Sequence, residues 1–260
     1  MIEARNIAVR YGSREALRGA CVKIDAGDFV AVLGANGAGK STLLKSLSGL
    51  LKPVSGEVLF NGKNISDIPV RQLAKMRAVL EQECGLEFDY TVAETVLLGG
   101  YSRAGFWGRA ENEHSLLCNC LLTVGLEGFE GRLYTALSGG EKRRVQLARA
   151  LFQMGADCGG KALFLDEPSA GLDPFNAHCA MRAAARVADG GACVLAALHD
   201  PNLALSYSTK AVLMKDGNVF ASGNSAEVVT PENLEFIYGT SCEGARSVSG
   251  RFVVFPAPGQ

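Results

Sequence analysis

Phe29-Val-Ala-Val-Leu-Gly34-Ala35-Asn36-Gly37-Ala38-Gly39-Lys40-Ser41-Thr42-Leu43-Leu44 is the stretch that decides how this chain folds. Phe29 to Leu33 is an apolar run of strand length, and Leu43, Leu44, Leu47 and Leu51 recur at helical spacing, so the segment reads strand, loop, helix. Between the two elements, Gly34, Gly37 and Gly39 let the backbone curl until successive N–H groups point at phosphate oxygens, at the positive end of the helix that follows. In that setting Lys40 reaches terminal phosphates and Ser41 offers its hydroxyl to Mg²⁺. A glycine turn that merely ends a strand needs neither the Lys-Ser pair nor an apolar strand and a periodic helix on either side.

Two more strands are expected to end at the same place. Ala162-Leu-Phe-Leu-Asp166-Glu167-Pro168 is an unbroken apolar run closed by two acids, the pattern of a strand buried on both faces of a parallel sheet. Cys193-Val-Leu-Ala-Ala-Leu198 delivers His199 in the same way, with Asp200-Pro201 read as a turn behind it. Ligands of doubly wound α/β folds bind beyond the carboxyl ends of the strands, so Asp166, Glu167 and His199 are placed beside the phosphate loop.

The formal charge of −1, with both signs interspersed, gives no electrostatic reason to expect a nucleic acid partner. No apolar run approaches the roughly 18 to 20 residues that span a bilayer, and the N-terminus lacks the apolar core of a signal peptide, so the chain is expected to be cytosolic by synthesis. Its eight cysteines are scattered, mostly in apolar sequence, and read as reduced core thiols; Cys118-Asn-Cys120 is a close pair without a second pair to complete a zinc site.

Along the chain, Ile7, Val9 and Tyr11, then Ala20, Val22 and Ile24, alternate with polar residues, as half-exposed antiparallel strands do. Val58-Leu-Phe60 followed by Asn61-Gly62 signals a second hairpin. From about Val70 to Gln153 the pattern is mostly helical, an inserted subdomain; the βαβ pattern resumes at Ala162, and beyond about Gly239 a short tail without helical or repeat structure is expected. Within the helical part, Leu137-Ser138-Gly139-Gly140-Glu141 opens a helix through a Ser-x-x-Glu capping box, with Val145, Ala148 and Leu151 following on one face. A cap alone accounts for Ser138 and Glu141. Two glycines at a positive helix end also make an anion site, remote in sequence from the phosphate loop, whose anion must come from elsewhere.

Taken in order over nearly the whole chain, these residues resemble the ATP-binding subunit of an ABC transporter. The resemblance implies a P-loop NTPase fold of α/β class with a mostly parallel core sheet, an N-terminal antiparallel β-subdomain and an inserted helical subdomain. One ATPase domain would cover residues 1–240, with 1–81 and 156–240 as nucleotide-binding core, 82–155 as helical signature subdomain and 241–260 as tail. By similarity Tyr11 stacks on adenine, residues 34–42 are the Walker A loop, Gln82 is the Q-loop glutamine, residues 137–141 are the signature, Ser169 to Asp173 the D-loop and His199 the switch histidine. The family implies a head-to-tail homodimer holding two ATP molecules, each between Lys40 with its loop and Ser138, Gly139 and Gly140 of the other subunit. Ser41, Asp166 and Gln82 would hold Mg²⁺, Glu167 would orient or deprotonate the attacking water, and His199 would contact the γ-phosphate.

A finer resemblance is to importers of iron chelates and cobalamin, and most closely to hemin import ATPases, through Arg77-Ala-Val-Leu80, Arg144-Val-Gln-Leu-Ala-Arg149, Leu198-His-Asp-Pro-Asn-Leu203 and Gly250-Arg-Phe-Val-Val-Phe-Pro256. Glu81 departs from the proline usual there, and Lys142 from a common glutamine. This implies a subunit peripheral to the cytoplasmic face of the inner membrane, two copies of a polytopic permease as partners and, indirectly, a substrate-binding protein, with hemin, a ferric siderophore or cobalamin transported. A soluble ABC ATPase such as an iron–sulfur assembly factor is the alternative of another class; a binding-only cassette is disfavoured because Glu167 and His199 are both present.

Overall fold

The computed structural model describes residues 1–82, 89–102 and 110–257, with the backbone alone at 110–112. β1 (Ile2–Tyr11) and β2 (Arg14–Ile24) form the expected hairpin around Gly12-Ser13. β3 (Phe29–Gly34) leads through the glycine loop into α1 (Lys40–Leu47). β4 (Ser55–Phe60) then pairs with the free side of β1 and turns at Asn61-Gly62 into β5 (Lys63–Asn64). Asn61 and Gly62 have φ of 49° and 80°, the left-handed pair that a tight primed turn requires. These four strands make an antiparallel sheet in the order β2-β1-β4-β5.

α2 (Val70–Met76) runs straight into β6 (Arg77–Leu80), after which come α3 (Val92–Leu97), α4 (Ala110–Thr123) and α5 (Gly139–Met154). The remaining elements alternate: β7 (Ala162–Asp166), α6 (Pro174–Asp189), β8 (Cys193–Ala197), α7 (Pro201–Tyr207), β9 (Lys210–Lys215), β10 (Asn218–Asn224), α8 (Ser225–Val228) and α9 (Pro231–Tyr238). The second sheet has the order β10-β9-β3-β8-β7-β6, parallel from β9 to β6 with β10 antiparallel at its edge.

This sheet is buried on both faces, and the two-residue period divides its side chains between two cores. Phe29, Ala31 and Leu33 of β3 join Leu163, Leu165, Val194 and Ala196 under the face that α5 and α6 cover. Val30 and Val32 join Phe164 and Leu195 on the opposite face, packed with Leu43, Leu44 and Leu47 of α1 and with the inner side of the antiparallel sheet. A sheet covered in this way offers only its strand ends to a ligand, and three such ends meet at the start of α1.

Three local expectations are corrected. The Val70–Gln153 region is interrupted by β6, which belongs to the core sheet; four residues paired to β7 are too short to show against flanking helical periodicity. The first helix stops at Leu47, with Gly49 left-handed at φ 72° beyond it, so Leu51 lies outside the helix. Asp200-Pro201 is the start of α7 rather than a turn, with Pro201 in its first turn and the Asp200 side chain accepting from Asn202 N–H. Beyond α9 the described residues of the tail form an antiparallel hairpin, β11 (Cys242–Arg246) and β12 (Phe252–Pro256). It docks on α7 through two reciprocal 2.9 Å bonds between the Asn202 amide and the backbone of Val254, whose side chain is buried. Cys84 lies outside the described residues.

Candidate active site

The glycine loop closes into a cup. Gly39 has φ 102°, and a Cβ there would stand 2.7 Å from the Ala16 carbonyl, so geometry and space both require glycine. Lys40, 6% exposed, lies inside, donating to the carbonyls of Gly34 at 2.7 Å and Ala35 at 3.2 Å. Burial holds its pKa below the ordinary lysine value, against the opposing pull of the Glu167 and Asp166 charges. Two of its three N–H donors are thus taken up by the loop, which aims the ammonium group.

Ser41, in the first turn of α1, donates to Asp166 Oδ1 at 2.9 Å and so joins the phosphate loop to the end of β7. Asp166 is 4% exposed; burial raises its pKa, against the lowering effect of the Ser41 bond. A hydroxyl and a buried carboxylate side by side are oxygen donors suited to a hard divalent cation. Glu167, the next residue, has left-handed φ of 52°, a conformation that costs an ordinary residue about 1–3 kcal/mol. It turns the carboxylate out of the sheet and over the loop. There His199 Nε2 meets Glu167 Oε1 at 2.6 Å, and Gln82 Nε2 donates to Oε2 at 3.1 Å.

These groups share an open cleft of about 800 Å³ with Tyr11, Asn36, Gly37, Gly39, Lys40, Ser41 and Thr42 on its walls. Tyr11, half exposed, ends β1 at the cleft. Gly34, Ala35 and Ala38 shape the loop from behind: Ala38 is buried, and the other two present carbonyls to Lys40. Arg14 and Ala16 also line the cleft and had no motif to mark them.

Ser138, Gly139, Gly140 and Asp173 are elsewhere. Ser138 caps α5 in a complete capping box, its Oγ accepting from Glu141 N–H while Glu141 Oε2 accepts from Ser138 N–H at 2.8 Å and O–H at 2.7 Å. A Cβ on Gly139 would meet open space, and one on Gly140 would approach Gly171 O at 3.4 Å and the Leu172 side chain at 3.5 Å, so Gly171 and Leu172 stand beside Gly140. Asp173 caps α6 through Asn176 N–H. Within one chain, therefore, the phosphate loop, both acids, Gln82 and His199 come together, whereas the signature and Asp173 do not join them.

Sequence reasoning passed over Arg143. From the second turn of α5 its guanidinium donates to the carbonyls of Glu81, Gln82, Asp166 and Glu167. One arginine in a basic run, Lys142-Arg143-Arg144, carries no signal that could separate it from its neighbours.

A phosphate loop opening α1, two acids ending the adjacent buried strand and a histidine at the end of the next define a nucleoside-triphosphate hydrolase on a mixed α/β sheet. The profile of the family described as ABC transporter matches residues 17–170. The chain is 40% identical over 242 residues to a hemin import ATP-binding protein of Agrobacterium fabrum, covering 92% of this chain and 91% of that protein. It is likewise 40% identical to one of Deinococcus radiodurans, over 92% and 90%. Among solved structures, a dimeric ATP-binding cassette in a post-hydrolysis state with ADP and Pi superposes with a TM-score of 0.75 at 26% identity, covering 86% of this chain and 99% of that one. The chain belongs to the ABC transporter family, as one of its ATPases.

Proposed function

We propose that this chain hydrolyses ATP to energise hemin uptake through a separate membrane permease, acting as a homodimer peripheral to the membrane. The convergence of Lys40, Ser41, Gln82, Glu167 and His199 on one cleft, with Asp166 buried behind Ser41 and bonded to it, carries the hydrolytic part. Among the described residues no helix is long and apolar enough to cross a membrane, and in this reading the permease supplies the transport pathway. Hemin rests on 40% identity over 92% of the chain to hemin import ATP-binding proteins.

In this reading the loop N–H groups and Lys40 hold the β- and γ-phosphates, and Tyr11 stacks on the adenine. Ser41, Asp166 and Gln82 hold Mg²⁺, which when bound neutralises charge on the phosphate oxygens. Glu167, kept over the loop by its left-handed backbone, orients a water and takes up its proton. His199 anchors that carboxylate and contacts the γ-phosphate. The anion site at Ser138, Gly139 and Gly140, with Asp173 beside it, closes the cleft of the other subunit. Residues 1–81 and 156–240 form the nucleotide-binding core, 82–155 the signature subdomain and 241–260 an appended tail.

The test is ATPase activity of the chain coexpressed with a hemin permease, and in parallel with siderophore and cobalamin permeases, in liposomes with a loaded binding protein. Hemin, a ferric siderophore and cobalamin are added in turn. Stimulation by hemin alone is the expected result. Stimulation by another ligand replaces the substrate, and failure to assemble with any permease overturns the transport role.

A further inference from the structure

The parallel ladder between β6 and β7 ends at the pair Leu80–Leu165. One step further, the two strands part into the segments that carry Gln82 on one side and Asp166 and Glu167 on the other. The guanidinium of Arg143 occupies that fork. Its Nη1 donates to Glu81 O at 2.6 Å and Gln82 O at 2.9 Å, and its Nη2 to Asp166 O and to Glu167 O at 2.8 Å.

We propose that Arg143 is a positioning residue for hydrolysis: by holding these four carbonyls it sets where Gln82 and Glu167 stand and ties that placement to the signature helix. The proposal rests on the reading of Glu167 as the group that handles the attacking water.

Three observations carry it. The acceptors are two consecutive carbonyls from each of two segments that no longer pair with one another, so the guanidinium does for them what the ladder does for Arg77–Leu80. Glu167 has a left-handed backbone pinned on both sides, its N–H donating to Ala197 O at 3.2 Å and its carbonyl accepting from Arg143. Without the second pin, an unfavourable conformation has less to hold it. Finally, Arg143 stands on the helix that Ser138 caps, so any tilt of the signature helix moves the guanidinium and with it both active-site segments. Only a planar, multi-donor fork can serve two segments at once; a lysine offers three donors at one point, and a methionine none.

A displacement of about 1 Å in a catalytic group can cost about a hundredfold in rate. Arg143→Met is therefore expected to lower kcat about ten- to a hundredfold while KM and the equilibrium affinity for MgATP change less than about threefold, because the phosphate loop is untouched. Arg143→Lys, which keeps the charge and some hydrogen bonding, is expected to fall between Arg143→Met and wild type, and it carries the test if the methionine variant does not fold. Gln153→Met is the matched control. Gln153 lies on the same helix and donates to the carbonyls of Ala74 and Arg77 at the other end of β6, so its loss should lower Tm but not kcat.

All variants are measured as the full-length chain for ATPase rate, MgATP affinity and Tm, with Glu167→Gln alongside. Wild-type kcat in Arg143→Met with an inactive Glu167→Gln overturns the positioning role and leaves the site reading standing. A kcat loss in Arg143→Met no larger than in Gln153→Met at matched Tm also overturns it, as mere structural support. Wild-type turnover in Glu167→Gln overturns the reading of the site itself, and the proposal with it.

Discussion

Glu167 Oε1 and His199 Nε2 lie 2.6 Å apart, although the residues end different strands and His199 is largely exposed while Glu167 is not. The bond joins the ends of β7 and β8 over the phosphate loop. It leaves the carboxylate with both oxygens occupied, Oε2 by Gln82. The orientation of the carboxylate is thus set by two side chains of this chain.

Glu167→Gln keeps the shape of the side chain and removes the carboxylate proposed to act as base. Turnover is expected to fall about a hundredfold or more, with ATP affinity retained and the ATP-bound dimer trapped. Steady-state ATPase assays and gel filtration with ATP check this; wild-type turnover would sink the assignment.

His199→Ala removes one of two groups holding the Glu167 carboxylate and, in the proposed reading, a contact with the γ-phosphate. Its kcat is expected to fall about tenfold or more with little change in KM, since the loop that binds the phosphates is unaltered. An equal loss in affinity and rate would instead make His199 a binding group.

Lys40→Ala deletes the charge inside the loop. Charge-assisted bonds of about 1.5–3 kcal/mol correspond to an affinity loss of roughly ten- to a hundredfold, measurable by calorimetry with ATP. Because burial already disfavours the Lys40 ammonium, its removal should not lower the Tm of the nucleotide-free chain. Unchanged ATP affinity would count against its role.

The signature cap has a pH signature. Bonds from Ser138 hold the Glu141 pKa below its ordinary value of 4.5. A depressed folded-state value means that the stability it contributes is present above pH 4.5 and is lost as pH falls through the folded value. The Tm gap between wild type and Glu141→Ala should therefore be open at neutral pH and close in acid. Ser138→Ala is expected to cost about 1 kcal/mol, a Tm drop of about 2–4 °C, and to reduce ATPase beyond that through the dimer.

Asn202→Ala removes the two bonds that fasten the tail hairpin and leaves the Val254 backbone without partners. Each bond is worth about 0.5–1.5 kcal/mol, enough for the hairpin to detach locally before the core unfolds. Limited proteolysis should cut faster at residues 247–250, between β11 and β12, with the Tm of the core nearly unchanged.

The phosphate loop, the acids at Asp166 and Glu167, the Ser138–Glu141 box and the Asn61-Gly62 turn were all legible in the sequence. Each is written in contiguous residues whose chemistry or period acts over a few positions. Strand β6 and the tail hairpin were not legible. Four residues of β6 cannot outweigh the helices around them, and the exposed strand Cys242–Arg246 has no apolar alternation to announce it. Only the tertiary structure joined Ser41 to Asp166 across 125 positions, set Gln82 and His199 on the two oxygens of one carboxylate, and put Arg143 where β6 and β7 part. Such contacts follow from the order in which parallel strands lie side by side. That order is settled by how two cores pack on opposite faces of one sheet, which no local stretch of chain encodes.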